Sequence, residues 1–471
     1  MSLSSALNAA VTGLSTVQTQ IGVVSGNVSN AQTPGYTRKV VNLTTPAAGG
    51  QPQAPLVSSV TRSVAPEVQK DYYSALSSYQ QLVTEADNTQ GLADALDATD
   101  TSGNASTLST LMSNFEDAVK QLEATPEDTA LKSLVVQRGQ ELAGEINRLA
   151  GQKTKLQTQA QQDIQSNVGT INDALQQIAK LNTQIIGQKA GGNPTGDLED
   201  LRDQEVAKIA GLVGVSTIVD SKGSMSLYTD TGVQLVSGST AQTFTYDPTS
   251  NTITNLAGSD VTNGFHTGAI RGDLNYLDTS ASALSSSDAN VGTLAKFFNQ
   301  IDSLATNVAN VVNNAYDDPA TAAVEQFFTF NAADPAGTLA VDPALVTTPG
   351  NVNETRMGDV QQAMENTELT AAQVNPGGAS GNGLQISSVT ISGLMNGILS
   401  YHAKITSENQ DNRDTADNLQ STLNQKMLNL TAVDVDTEMA NLQTLQTNYA
   451  ALARIMNAVN QMYDQLMNVG T

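Results

Sequence analysis

The chain has 471 residues, no cysteine and a formal net charge of −24 at pH 7. The absence of cysteine excludes disulfides and thiolate-based catalytic or metal sites, and the acidity argues against nucleic acid or anionic membrane surfaces as partners, because both attract lysine and arginine. The length allows about two to four domains, with cores built from aliphatic side chains, since aromatic residues make up 4% of the chain.

The first predicted element is a helix with a narrow apolar seam. Its apolar residues recur in steps of four and three, the spacing of a coiled-coil helix. No charged residue precedes Arg38, whereas a surface helix normally carries charges on its outer face. We therefore expect more than one neighbour to cover this helix. The N-terminal seam consists of Leu3, Leu7, Ala10, Leu14, Val17, Ile21, Val24 and Val28.

A tight turn follows this helix at Thr33-Pro34-Gly35, because proline fixes φ and glycine accepts the positive φ that comes next. Residues 39–65 alternate weakly and contain three prolines, which predicts extended loop with short strands. Helices are predicted from residue 66 onward. The longest is expected to begin at Thr125-Pro126, with a capping hydroxyl and proline at the first helical position. It would run for about 60 residues, or about 90 Å, with glycines as candidate breaks.

A β-rich segment is predicted in the middle of the chain. After a short helix at 198–212, runs with period two between residues 215 and 246 are separated by turn residues, which indicates hairpins and a small antiparallel sheet. Helices are predicted again at 272–316 and 357–368. Residues 375–383 are rich in glycine and are expected to form a flexible linker.

The chain ends in a second helix with a heptad seam. Helical sequence from Val389 onward is interrupted near residues 429–434, and three acidic residues, Asp434, Asp436 and Glu438, lie where the next helix dipole favours negative charge. Only two charged residues follow them, so this helix is also expected to be covered. The C-terminal seam consists of Leu442, Leu445, Tyr449, Leu452, Met456, Val459, Tyr463 and Leu466.

No catalytic or metal site is predicted. The two histidines, His266 and His402, lie in unlike contexts, and each is expected at the surface or partly buried. The acidic segment 197–205 is interpreted as a solvated helix face and not as a carboxylate pair. Residues 97–104 lack the ligand spacing and the closing glutamate of a calcium loop. We therefore expect no enzymatic activity, no cofactor and no bound metal.

The segment Asn27-Val-Ser-Asn30-Ala-Gln-Thr33-Pro34-Gly35-Tyr36-Thr-Arg38 resembles the N-terminal signature of bacterial flagellar axial proteins. Residues 435–454 are similar to the matching C-terminal helix of that family. Arg38 and the sequence Tyr449-Ala-Ala-Leu-Ala resemble the hook-associated proteins of the hook–filament junction more than hook or rod proteins. The positions that match the motif are Asn27, Asn30, Thr33, Pro34, Gly35, Tyr36 and Arg38.

These patterns predict an α+β fold that is mainly α, in which both chain ends form a terminal coiled-coil or helical bundle domain and a smaller β-rich domain is inserted in the middle. The predicted units are 1–38 (N-terminal coiled-coil helix and turn motif), 39–190 (helical domain, N-terminal part), 191–265 (β-rich hairpin domain), 266–375 (mixed helix and strand region), 384–433 (helical domain, C-terminal part) and 434–471 (C-terminal coiled-coil helix).

The resemblance implies a non-enzymatic structural protein of the flagellum, extracellular and located at the hook–filament junction. It implies a homo-oligomeric ring of about eleven subunits that contacts the hook protein and a second, distal hook-associated protein, after delivery by an export chaperone. The acidity and the absence of an apolar run of about 18 residues predict no contact with nucleic acid and no membrane insertion. The first residues lack the basic and contiguous apolar regions of a Sec-type signal peptide, so any export is expected to use another route. The resemblance implies that this route is the flagellar type III apparatus, without a cleaved signal peptide.

Two alternatives stay open at this point. The chain could be another flagellar axial protein (hook, rod or filament), or a secreted non-flagellar adhesin or enzyme with helical ends. The N-terminal helix also contains three glycines, each costing about 1 kcal/mol relative to alanine, and isolated helices are marginal in water. We therefore expect both ends to be unfolded in the free monomer and to order on assembly.

Overall fold

The computed structural model describes residues 3–45, 54–96, 108–320, 324–375, 383, 384, 386 and 388–469, and most of them are helical. The helices are α1 (Leu3–Asn30), α2 (Pro66–Leu96), α3 (Leu108–Ala124), α4 (Thr129–Ala190), α5 (Gly196–Leu212), α6 (Ala269–Leu277), α7 (Ala281–Leu284), α8 (Thr293–Tyr316), α9 (Pro335–Thr338), α10 (Pro343–Thr347), α11 (Met357–Asn366), α12 (Ala371–Val374), α13 (Ile391–Thr431) and α14 (Val435–Val469). The strands are β1 (Lys39–Thr44), β2 (Leu56–Arg62), β3 (Val215–Val219), β4 (Met225–Thr229), β5 (Gln234–Ser237), β6 (Thr240–Ala241), β7 (Phe244–Asp247), β8 (Thr252–Asn255), β9 (Phe328–Thr329), β10 (Ala340–Val341), β11 (Leu369–Thr370) and β12 (Ser388–Val389).

The predicted fold class is confirmed. The two chain ends, α1 and α14, pack against each other as a terminal pair. A helical body, formed by α2–α6, α8, α11 and α13, carries a continuous apolar core. The middle of the chain adds an antiparallel four-stranded sheet in the order β3-β4-β5-β6 and the hairpin β7–β8. Residues 97–104, compared above with a calcium loop, and most of the predicted linker lie outside the described residues.

The long helix α4 is the central element of the body. It has 62 residues, or about 93 Å at 1.5 Å per residue, and it packs on α3, α5, α6 and α8. The prediction that Thr125-Pro126 begins this helix is wrong. Asp128 is the N-cap, because its Oδ1 accepts hydrogen bonds from the backbone N–H groups of Ala130 and Leu131 at 2.8 and 3.3 Å.

The glycines of α4 do not interrupt it. Gly144, Gly151 and Gly169 lie on its exposed side, and a Cβ added at any of them would have no neighbour within 4 Å. The opposite side of α4 carries a continuous stripe of buried aliphatic residues. Burial of one such side chain contributes about 1.5–3 kcal/mol, more than the roughly 1 kcal/mol that one glycine costs, so the helix continues through them.

The helix predicted at 272–316 is divided into α6, α7 and α8. Ser280 caps α7 by accepting a hydrogen bond from the Ala283 N–H at 3.1 Å. Gly292 precedes α8 with φ +71°, a left-handed conformation that favours glycine, and its N–H donates to the carbonyl of Asn275 at 2.7 Å. These local hydrogen bonds compete with helix continuation.

His402 is fully buried, so the expectation of a surface or partly buried side chain is wrong for it, whereas His266 is exposed. His402 Nε2 lies 2.8 Å from Gln300 Oε1, and its ring packs edge-on against Phe297 with centroids 4.9 Å apart. Burial lowers the pKa of His402 to about 3. The ring is therefore neutral at physiological pH and acts as a core side chain between α8 and α13.

Candidate functional site

The two predicted seams face each other in the terminal pair. A Cβ added to Gly13 would lie 3.3 Å from a Leu452 methyl group, and Gln18 Nε2 donates to Tyr449 Oη at 3.4 Å. Ala10, Val17 and Val459 are buried. The side chains of Leu3 and Leu466 lie outside the part that the structure describes. The other seam residues are half-buried: Leu7, Leu14, Ile21, Val24, Val28, Leu442, Leu445, Tyr449, Leu452, Met456 and Tyr463.

The outer sides of the terminal pair carry few charges and several exposed apolar side chains. Val11 on α1 and Met439, Ile455 and Met462 on α14 are each 44–50% exposed. In a single chain each of these two helices has the other as its main helical partner. The outer surface, defined here as Val11, Met439, Ile455 and Met462, therefore remains available for contacts beyond the chain.

Asn27 connects the N-terminal motif to the C-terminal helix. Its side chain is 1% exposed, and its Oδ1 accepts hydrogen bonds from Lys39 N–H at 2.9 Å and Tyr36 Oη at 3.0 Å. Its Nδ2 donates to the Lys39 carbonyl at 2.9 Å and to Glu438 Oε2 at 3.3 Å. Both polar atoms of a buried amide are satisfied in this way, so another residue at this position would leave partners unpaired.

The proline–glycine turn holds the chain in place after α1. The Tyr36 N–H donates to the Thr33 carbonyl at 3.1 Å, and Gly35 has φ +75°. Gln204 of α5 lies against this turn and donates from Nε2 to the Pro34 carbonyl at 3.1 Å. Asn30 closes the end of α1 by donating from Nδ2 to the Gly26 carbonyl at 3.0 Å. The motif thus packs on both α1 and the helical body.

Arg38 links the motif to the connection between α13 and α14. Its Nε donates to Glu438 Oε1 at 2.6 Å, and its backbone N–H donates to the Thr431 carbonyl at 2.8 Å. The next strand reinforces this contact, because Ser63 donates from its N–H to the Arg38 carbonyl at 2.7 Å and from Oγ to the Leu430 carbonyl at 3.1 Å. Both ends of the chain are therefore fixed to one point of the helical body.

An ionic cluster, formed by Lys39, Arg62, Glu199, Asp200 and Asp203, fixes the β1–β2 hairpin to α5. Arg62 Nε lies 2.8 Å from Glu199 Oε2, and its Nη1 lies 3.2 Å from Asp200 Oδ1 and 2.6 Å from Asp203 Oδ2. Lys39 forms a close ion pair with Asp200, which is 4% exposed. Burial tends to raise the pKa of Glu199, but hydrogen bonding and nearby arginine charge lower it below its usual value.

The interpretation of segment 197–205 as a solvated helix face is therefore wrong. Asp200 is buried, whereas Leu201 is 48% exposed. The cause is tertiary, because the cations that pair with these acids come from strands more than 130 residues earlier in the chain. Charge pattern along one helix carries no information about such partners.

Tyr36 lies beside this cluster as a neutral hydrogen-bond donor. Burial, with the negative charges of Asp197, Asp200 and Glu438, raises the pKa of Tyr36 to about 12. Lys39 Nζ lies 4.2 Å from the centre of its ring, a distance suited to a cation–π contact. The Tyr36 hydroxyl therefore keeps its proton and its hydrogen bond to Asn27 at physiological pH.

This arrangement connects separate elements of the chain. Among the described residues, no group of three or more His, Cys, Asp or Glu side chains is placed to hold a metal ion. None of the helices in the described ranges has the length and apolar character needed to cross a membrane. Sequence reasoning missed Lys39, Arg62, Asp200 and Glu438. The signal that pointed to Arg38 and Glu438 is that each is a charged residue bordering a nearly uncharged chain end.

Three family models match separate parts of the chain. The helical domain of flagellar hook-associated protein FlgK matches residues 93–322, the flagella basal body rod protein matches residues 7–37, and the C-terminal part of the flagellar basal body rod FlgEFG proteins matches residues 424–469. A solved structure, the flagellar hook junction protein FlgK from Burkholderia pseudomallei, is 21% identical, with a TM-score of 0.45 over 56% of this chain and 47% of that chain.

Proteins named flagellar hook-associated protein 1 are similar along nearly the whole sequence. The one from Bacillus subtilis is 23% identical over 98% of this chain and 97% of its own length. The one from Escherichia coli is 24% identical over 99% of this chain and 100% of its own length. The one from Salmonella typhimurium is 29% identical over 53% and 45%, respectively. The predicted resemblance to flagellar hook-associated protein 1 is therefore confirmed along nearly the whole chain.

Proposed function

We propose that this protein is a structural component of the bacterial flagellum that forms the junction ring between hook and filament. The observation that carries the proposal is the terminal pair, whose seams cover each other while its outer surface stays apolar and uncovered. The similarity to proteins named flagellar hook-associated protein 1 supports the same role. Ring formation would bury the outer surface between neighbouring copies.

The energetics favour assembly through these helices. Moving a half-exposed Met or Ile side chain into an interface contributes on the order of 1 kcal/mol. Each copy offers such side chains on both α1 and α14, so contacts repeat around a closed ring. A head-to-tail interface of this kind forms a closed ring when the rotation from one copy to the next is a whole-number fraction of 360°. The family resemblance suggests about eleven copies.

The proposed partners are further copies of this chain, the hook protein on the proximal side and a second hook-associated protein on the distal side. An export chaperone would bind the chain before assembly, and the proposed location is extracellular, after type III export without a cleaved signal peptide. The motif junction, defined as Asn27, Tyr36, Arg38 and Glu438, would transmit force between the terminal pair and the helical body. We propose no enzymatic activity, no cofactor and no nucleic-acid partner.

Deletion of the gene tests the role directly. The expected phenotype is cells with hooks but no filaments and with unassembled filament subunits in the medium. Normal filaments in the deletion strain would refute the junction role, and the loss of hooks would indicate a hook or rod protein instead. Both outcomes are visible by electron microscopy and by analysis of the culture medium.

Complementation tests the outer surface. Ile455→Glu places a charge on the outer surface of α14, where we expect filaments to be lost. Leu256→Glu is the matched control, because Leu256 is 80% exposed in the turn after β8 and lies away from the terminal pair in sequence. Equal filament numbers with both variants would show that the outer surface does not mediate assembly.

A further inference from the structure

A groove of about 970 Å³ lies between the β1–β2 hairpin and the four-stranded sheet. Strand β2 lines one part of it and strand β3 another. The first turns of α2, the loop before α5 and Arg202 also line it. These two strands are each the last strand of their sheet on one side. The groove therefore brings together the edges of two separate sheets.

Within the described residues, strand β3 has no strand partner on its outer side. Two backbone hydrogen bonds lie at the two ends of its pairing with β4. The Asp230 N–H donates to the Gly214 carbonyl, and the Asp220 N–H donates to the Ser224 carbonyl, both at 2.9 Å. In an antiparallel pair, the backbone groups of alternate residues bond to the partner strand. In β3 the backbone N–H and C=O groups of the even-numbered residues therefore bond to β4, and those of the odd-numbered residues point away from β4. The outward residues Val215, Thr217 and Val219 all line the groove.

Strand β2 has the same property. The hydrogen bond from Ser63 N–H to the Arg38 carbonyl and the register that pairs Thr61 with Val40 assign Ser63 and Thr61 to β1. The backbone groups of Val60 and Arg62 therefore point away from β1. Both residues line the groove.

Strand β3 lacks the protection that monomeric proteins usually place on edge strands, whereas the pairing of β2 with β1 shifts register once, between Asn42 and Leu43. Strand β3 has the sequence Val-Ser-Thr-Ile-Val, with no charge and no proline, and its Ile218 and Val219 are 61% and 51% exposed. Lysine, proline and bulges normally prevent the edge-to-edge pairing of strands. An extended segment is the occupant whose backbone satisfies such an edge.

Arg202 supplies a recognition group beside these edges. It is 2% exposed and lines the groove. Its Nη1 donates to Asn182 Oδ1 and to the Gly223 carbonyl at 2.9 and 2.7 Å, while its Nε has no hydrogen-bond partner within the described residues. Glu199 and Asp203 interact with its charge, but no carboxylate among the described residues contacts the guanidinium. A buried guanidinium whose Nε has no partner is costly and favours a carboxylate as that partner.

We propose that an extended segment from a second copy of this chain docks in this groove as an added strand, pairing with β2 and β3 and directing a carboxylate towards Arg202. A second copy is the favoured occupant because the chain carries 46 acidic against 22 basic residues, so its own segments supply the carboxylate. The inference rests on the proposed function, in which identical copies are neighbours in a ring.

Amide hydrogen exchange tests the strand addition with residue resolution. In the monomer, the outward amides should exchange quickly and the inward amides slowly. In junctions assembled on purified hooks, we expect the outward amides to slow by at least hundredfold, while the inward ones change little. The outward amides are those of Val60, Arg62, Val215, Thr217 and Val219, and the inward ones are those of Thr61, Ser216 and Ile218.

Electron microscopy of the same sample separates the two proposals. A ring whose outward amides still exchange at the monomer rate overturns the strand addition and leaves the proposed function intact. The absence of any ring overturns both. If the outward amides slow when hook protein alone is bound to the monomer, the groove belongs to that partner, and the second-copy occupant is wrong.

A pair of variants at Thr217 provides a second measurement. Thr217→Pro removes an outward N–H without removing a β3–β4 hydrogen bond, a position where edge strands tolerate proline. Thr217→Val keeps the N–H and serves as the matched control. With circular dichroism showing both monomers folded, we expect the proline variant to need at least tenfold more protein for ring assembly. Equal assembly of the two variants would overturn the proposal, and an unfolded proline variant leaves the exchange pattern to decide.

Discussion

The ionic cluster makes the stability of the hairpin depend on one buried carboxylate. Asp200 is 4% exposed and accepts hydrogen bonds from Thr37 N–H at 3.1 Å and Thr37 Oγ1 at 2.6 Å, in addition to its ion pairs with Lys39 and Arg62. The substitution Asp200→Ala removes all of these contacts. Lys39 and Arg62 then stay at a site where their side chains are only 9% and 11% exposed.

Breaking a buried ion pair by removal of one partner costs about 3–5 kcal/mol. Arg62 keeps Glu199 and Asp203 as partners, so the loss falls mainly on Lys39 and Thr37. We therefore expect Asp200→Ala to lower the free energy of unfolding by about 2–4 kcal/mol. Urea denaturation measures this value, and faster amide exchange in β1 and β2 would place the effect at the hairpin.

Asp197→Ala is the matched control for this prediction. Asp197 lies in the first turn of α5, three residues before Asp200 and 3.5 Å from Lys39 Nζ, but its side chain is 83% exposed. Exposed pairs contribute about 0–1 kcal/mol, so this variant should unfold almost like the parent protein. If the two variants differ by less than about 0.5 kcal/mol, a resolution typical of such comparisons, the acidic side of α5 is effectively solvated and the argument for a buried cluster is refuted.

Two further predictions concern a buried acid and the terminal pair. Burial raises the pKa of Asp273 to about 7 against the opposing effect of the Asn88 amide. The folded state therefore holds this proton more tightly than the unfolded state. The free energy of unfolding should fall as pH rises from about 4 to about 7, by up to about 1.4 kcal/mol per pH unit. Asp273→Asn should remove that part of the slope in urea titrations, and an unchanged slope would contradict the shift. Limited proteolysis of dilute protein should trim residues 1–30 and 440–471 first, and assembly on hooks should protect them; intact ends in the dilute monomer would show that the terminal pair is stable alone.

Local patterns in the sequence were sufficient for the elements that depend on periodicity. Heptad spacing predicted both terminal helices, and α1 and α14 pack together as a pair. Period-two runs predicted the hairpins of the middle region, where β4 alternates between buried and half-buried residues. The positive φ of Gly35 was likewise predicted from the turn sequence. These features are determined by sequence because each depends on residues within one or two turns or strands.

Tertiary structure alone decided the partners of polar residues. Asn27 meets Glu438 across 411 positions of the chain, and Asp200 meets Lys39 across 161. The sequence assigned Glu438 to a helix dipole and Asp200 to solvent, since a charged side chain has the same local pattern whether water or a distant cation neutralises it. Burial of His402 followed the same rule, because the neighbouring helix that covers it lies about 100 residues earlier. Long-range packing sets the environment of a polar group, and short-range periodicity sets only the element that carries it.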